Sequence, residues 1–129
     1  RHKKRNTPGR IINITSGQNY NPMPGQISYV VTKAALDALT LTLSSELAGC
    51  GITVNAVDPG LTDTGWISDQ LRSKLTQESP DGISSPEAIG RLVRQLAGDD
   101  AASITGRVIR AQAAETTALF TKGVGYGCV

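Results

Sequence analysis

Tyr29 and Lys33 stand four residues apart in the run ISYVVTKAALDAL. On a helix, residues at that spacing share a face. A free phenol has a pKa near ~10 and is a poor base at neutral pH. A neighbouring cation favours the phenolate and lowers that value. The hydroxyl then becomes a usable general acid or base. The same spacing also occurs on ordinary surface helices, with an amphipathic Tyr and a solvated Lys. The surrounding elements decide between the two readings.

Those elements alternate. RIINIT, from Arg10 to Thr15, is short, β-branched and bounded by turn residues, which predicts a buried strand. SGQNYNPMPGQ is a loop, because Gly, Asn and Pro forbid regular structure there. A helix is expected from Ser28 to Ala48, with Leu36, Leu39, Leu43 and Leu47 on one face. Ala34, Ala35 and Ala38 leave a second face of small residues, where another helix can approach closely. Gly49 or Gly51 ends the helix. ITVNAV is a second strand, from Ile52 to Val57, broken by Asp58, Pro59 and Gly60. A short helix is expected near Ile67 to Leu75. SPEAIGRLVRQLAG is a clearer one, with Ser85 as cap, Pro86 at the first turn and an apolar stripe of Ile89, Leu92, Val93 and Leu96. SITG leads into RVIRA, a third strand. This order predicts an α/β fold, a Rossmann-like doubly wound parallel sheet with helical crossovers.

Ligands in such sheets bind beyond the carboxyl ends of the strands. Ser16 ends the first strand, thirteen residues before Tyr29, and its hydroxyl can donate to a carbonyl oxygen beside the Tyr29 hydroxyl. The loop DPGLTDTGW ends the second strand on the same side. Pro59 and Gly60 let backbone lie close to a flat ring, and Thr62 and Thr64 offer hydroxyls to an amide.

Composition narrows the function classes. The chain has 129 residues, enough for one small domain, and its net charge of +2 does not suggest a nucleic-acid or membrane-surface binder. Arg1 to Arg5 are basic, yet five residues without interleaved aromatics read as a solvated helix end rather than an RNA-binding arm. No apolar run approaches the ~20 residues of a membrane span. Cys50 and Cys128 form no spacing motif, which fits a reducing cytoplasm, and no metal site is expected. The first residue is not Met, and we expect the sequence to begin partway through something larger.

GRIINITS, SYVVTKAALDALTLTLSSELA, GITVNAVDPGLTDT and SITGRVI, in that order and spacing, resemble the C-terminal half of the short-chain dehydrogenase/reductase family. The resemblance covers residues 9–109; residues 112–129 form an irregular tail without a counterpart. It implies an NAD(P)-dependent oxidoreductase that reduces a carbonyl or oxidises an alcohol by hydride transfer, with a 3-oxoacyl-carrier-protein reductase as the default relative. It implies that Ser16 orients the substrate and that Tyr29 is the acid/base. Lys33 would bind the nicotinamide ribose and lower the tyrosine pKa. Pro59, Gly60, Thr62 and Thr64 would hold the nicotinamide end of NADP or NAD. The family usually has an aliphatic residue where Thr62 stands, so Thr64 is the firmer contact. Gln18 and Trp66 are substrate-pocket candidates by position. The long helix would serve a homo-oligomer, through the Ala34 and Ala38 face. The alternative is a non-catalytic oligomerisation module. The family's glycine-rich phosphate loop, its NNAG-like segment and its catalytic asparagine have no match here, and RAQAAE replaces its glycine pair after the last strand. By itself this chain is therefore expected to bind cofactor poorly and to turn over little.

Overall fold

The strand ITVNAVD, Ile52–Asp58 (β2), is buried from Thr53 to Asp58. A strand covered on both faces within a parallel sheet is apolar along most of its length. In a computed structural model that describes residues 8–17, 22–65, 67–78 and 82–111, β2 lies between two parallel neighbours. Gly9–Ile14 (β1) pairs with it from Gly9 opposite Ile52 to Ile14 opposite Val57. Arg107–Arg110 (β3) pairs with it from Asn55 opposite Arg107 to Asp58 opposite Arg110. The remaining elements are Ile27–Glu46 (α1), Asp69–Glu78 (α2), Pro86–Ala97 (α3) and a 3-10 turn at Asp99–Ala101.

Asn55 is a polar residue buried mid-strand, and both ends of its amide are satisfied. Its Nδ2 donates to the Ile104 carbonyl at 2.8 Å, and its Oδ1 accepts from the Arg107 N–H at 3.2 Å. A buried amide left unpaired costs about 1–3 kcal/mol; here it instead fixes where β3 enters the sheet.

Side chains alternate faces along a strand, and the two faces receive different helices. Val57 and Ile109 join Leu92, Leu96 and Ala101 in the buried core, with Ile12, Ile89 and Val93 packed against it. The expected stripe of α3 is thus the one that packs. Ser85 caps α3 as its spacing implies, accepting the Ala88 N–H at 3.3 Å, and Pro86 occupies the first turn. On the opposite face, Asn13 Nδ2 donates to Thr40 Oγ1 of α1 at 2.9 Å, and Thr15 Oγ1 donates to the Lys33 carbonyl at 3.1 Å. Helices on both faces complete the α/β pattern read from the sequence.

Several boundaries and one helix face differ from expectation. Helix α1 begins at Ile27 and ends at Glu46, and Gly49 and Gly51, with φ of +77° and +68°, turn the chain back into β2. β1 takes in Gly9 and stops before Thr15, β2 runs one residue further, to Asp58, and α2 occupies Asp69–Glu78 rather than starting near Ile67. The seam of α1 against the sheet runs through Lys33, Leu36, Thr40, Leu43 and Leu47, where Thr40 is the buried residue. Leu39 sits one residue off that seam and is 49% exposed. Ala34, Ala35 and Ala38 are exposed. The basic opening and the tail 112–129 lie outside the described residues.

Candidate active site at the strand ends

Three parallel strands bring their carboxyl ends to one edge of the sheet. β1 delivers Thr15 and Ser16, and the Thr15 N–H bonds to the Val57 carbonyl at 2.9 Å, extending the ladder one residue beyond the strand. The half-buried Ser16 follows on that anchored backbone.

Helix α1 faces this edge with its first two turns. A turn at Met23–Gln26, closed by the Gln26 N–H on the Met23 carbonyl at 3.1 Å, sets the helix start. Gly25 takes φ of +83° there, a conformation that suits glycine. Tyr29 lies in the first turn and Lys33 in the second. Lys33 Nζ stands 5.8 Å from the centroid of the Tyr29 ring, over its face. That is within the ~6 Å reach of a cation–π contact. The same ammonium donates to the Ile14 carbonyl at 2.8 Å. Two bonds therefore tie the Lys33 turn to the end of β1, one from its Nζ and one from Thr15 Oγ1 to its carbonyl. They set Tyr29 and Ser16 on neighbouring, mutually braced segments. Tyr29 is 41% exposed, so its ring is open to an incoming molecule.

The loop after β2 forms the other wall. Gly60 adopts φ of +60°, and its N–H bonds to Asp58 Oδ1 at 2.9 Å. Thr62 Oγ1 donates back to the Pro59 carbonyl at 3.2 Å, which turns this hydroxyl inward on its own loop. Thr64 is exposed. A short parallel bridge joins Thr62 to Ser84, through Asp63 N–H to the Ser84 carbonyl at 2.9 Å and Ser84 N–H to the Leu61 carbonyl at 2.8 Å. It closes a loop that contains α2. Asp63 pairs with Arg72 of α2. The Arg72 guanidinium, then the Gly65 N–H, hold the Asp63 carboxyl below the ordinary value of 3.8.

Ser16, Tyr29, Lys33, Pro59, Gly60, Thr62 and Thr64 thus share one end of the sheet. Gln18 and Trp66 lie outside the described residues. Sequence reasoning passed over Thr15, Asp58 and Arg110. A charged residue closing an apolar strand, as in NAVDPG, was the available signal for Asp58. Among the described residues, no three His, Cys, Asp or Glu side chains gather in a way that could hold a metal ion. Nor is any helix there long and apolar enough to cross a membrane.

The sequence model of a family described as enoyl-(acyl carrier protein) reductase matches residues 1–113. The chain belongs to the short-chain dehydrogenase/reductase family. An uncharacterised oxidoreductase, YjdA of Bacillus subtilis, is 48% identical over 114 residues, which is 87% of this chain and 45% of that protein. The 3-oxoacyl-[acyl-carrier-protein] reductase FabG of Rickettsia felis is 42% identical over 108 residues, 81% of this chain and 45% of that one. Among solved structures, the angucycline C-6 ketoreductase LanV with bound NADP superposes with a TM-score of 0.71 at 40% identity, over 79% of this chain and 41% of that chain. The acetoin dehydrogenase YohF of Salmonella typhimurium gives 0.70 at 32% identity, over 85% and 45%. The chain spans less than half the length of the short-chain reductases it matches.

Proposed function

We propose that this chain carries the acid/base half of an NAD(P)-dependent carbonyl reductase. The observation behind the reading is the placement of Lys33 Nζ over the Tyr29 ring while it is bonded to the strand end that bears Ser16. A dihydronicotinamide, when bound, supplies the hydride to the carbonyl carbon. The Ser16 hydroxyl donates a hydrogen bond to the substrate carbonyl oxygen and fixes its direction. The Tyr29 hydroxyl gives that oxygen its proton. Among the described residues Lys33, with its ammonium 5.8 Å from the ring centroid, is the cation nearest to that step. An ammonium has three donors, so the bond to Ile14 leaves Lys33 able to hold a ribose hydroxyl as well.

The residues present suit the nicotinamide end of the cofactor. Gly60 exposes backbone in a conformation without a side chain, and Thr64 is open to solvent beside it. The NADP bound to LanV and the names of the FabG relatives favour NADP and a 3-oxoacyl thioester or a related small ketone. A soluble, cytoplasmic homo-oligomer is the setting this reading assumes.

The exposed apolar residues of α1, with Ile27 78% and Val31 61% exposed, favour a second reading, a non-catalytic module that associates through that helix. A chimera separates the two. The N-terminal half of the Bacillus subtilis oxidoreductase is joined in frame to this chain and assayed for NADPH oxidation with an acetoacetyl thioester and with acetoin-type diketones. The reductase reading expects turnover, and a fall of about a hundredfold in Ser16→Ala. A folded, NADPH-binding chimera that reduces none of these, or a Ser16→Ala variant that keeps full rate, contradicts it.

A further inference from the structure

We propose that Asp58 and Arg110 form a latch that positions the Pro59–Thr62 loop at the strand ends. Asp58 closes β2 and is buried. Its Oδ2 accepts from Arg110 Nε of β3 at 3.2 Å, and its Oδ1 accepts from the Gly60 N–H at 2.9 Å. Its backbone carbonyl accepts the Ala111 N–H at 2.9 Å. One residue therefore holds β2, β3 and the loop together.

The segment that bears Ser16 packs against the same pair. A Cβ placed on Gly17 would overlap Asp58 Oδ2 and lie 3.0 Å from Arg110 Nη2. A side chain at this position would have to push the Asp58 carboxylate or the Arg110 guanidinium aside, so glycine leaves the ion pair undisturbed. All three strand ends consequently meet at the Asp58 carboxylate.

A buried carboxylate is costly unless it is paired and hydrogen-bonded. Moving the loop would take the Gly60 N–H from Oδ1 and leave the carboxylate short of a partner. Arg110 holds the other oxygen, so the loop keeps its shape only while the ion pair is intact. Asp58 and Arg110 are positioning residues; they act through Gly60 and Ser16. Their catalytic meaning rests on the reading above, since this loop is the one set against the nicotinamide, but the latch itself does not.

The test is amide hydrogen exchange by NMR on the 129-residue chain. Arg110→Gln should speed exchange at Gly60 about tenfold while Val54 to Val57 stay within about twofold of the parent. Arg110→Lys, which keeps the charge, should restore most of the protection. Arg110 is half-exposed, so these variants retain the fold. Gly17→Ala crowds the pair and should give the same acceleration, adding nothing on top of Arg110→Gln. Unchanged Gly60 exchange in Arg110→Gln overturns the latch. So does equal acceleration throughout β2, failure of the lysine to restore protection, or an additive effect of Gly17→Ala. None of these readouts uses catalysis, so a failed latch and a failed reductase assignment are told apart.

Discussion

On one face of the sheet, α3 lays Leu92 and Leu96 against Val57 and Ile109 and excludes water. On the other, α1 meets the strands through Thr40 and Asn13, and through Lys33 with Ile14 and Thr15. Apolar packing is strong and non-directional. It holds α3 in place without specifying the angle of any one side chain. Hydrogen bonds are weaker in net terms but directional. They are found beside Tyr29 and Ser16, the residues proposed to act on the carbonyl. The face that stabilises and the face that aims are thus distinct parts of one small sheet.

The contrast can be broken most forcefully at Leu96, which is fully buried. Leu96→Ala should cost about 2–5 kcal/mol, read by urea denaturation, as expected for a cavity in a packed core. A loss below about 1 kcal/mol would mean that the α3 face is not the stabilising one. The α1 face should respond more gently and more locally. Thr40→Val keeps the shape but removes the acceptor of Asn13 Nδ2, at a cost of about 1–3 kcal/mol. Its NMR shift changes should concentrate at Asn13 and the strand end. Shift changes spread evenly over both faces would erase the distinction.

The smallest effect belongs to the loop outside both faces. The Arg72 guanidinium keeps the folded-state pKa of Asp63 below 3.8. A carboxyl with a lowered folded pKa adds stability above its unfolded value and loses it as pH falls through the folded one. The Asp63–Arg72 contact should therefore persist down to about pH 4 and loosen only below that. The Asp63 side-chain resonance titrated by NMR reads this directly, and release of the contact near pH 5 would contradict it.

Much of this architecture was legible in the sequence because the signals were local. The α3 stripe, the Ser85 cap and the three β-branched strands each follow from neighbours within a few residues. Tyr29 and Lys33 were legible for the same reason, being one helical turn apart. The seam of α1 was legible only in part: Leu36, Leu43 and Leu47 lie on it as their spacing suggests, whereas Leu39 is exposed and Thr40 is buried against Asn13. That choice depends on a strand 27 positions away in sequence. The pairing of Arg110 with Asp58, across 52 positions, left no local trace, although the charge that closes NAVDPG marks Asp58 itself. Pairings made by the sheet register become visible only once the strands are aligned.

The central claim is that the Tyr29 hydroxyl, under the charge of Lys33, supplies the proton to a carbonyl. The most direct measurement is single-turnover NADPH oxidation by the chimera and by its Tyr29→Phe variant, with NADPH affinity measured alongside. The account predicts that Tyr29→Phe slows the step by about a hundredfold or more while NADPH binding stays nearly the same. A variant that reduces the ketone at close to the parent rate would contradict it.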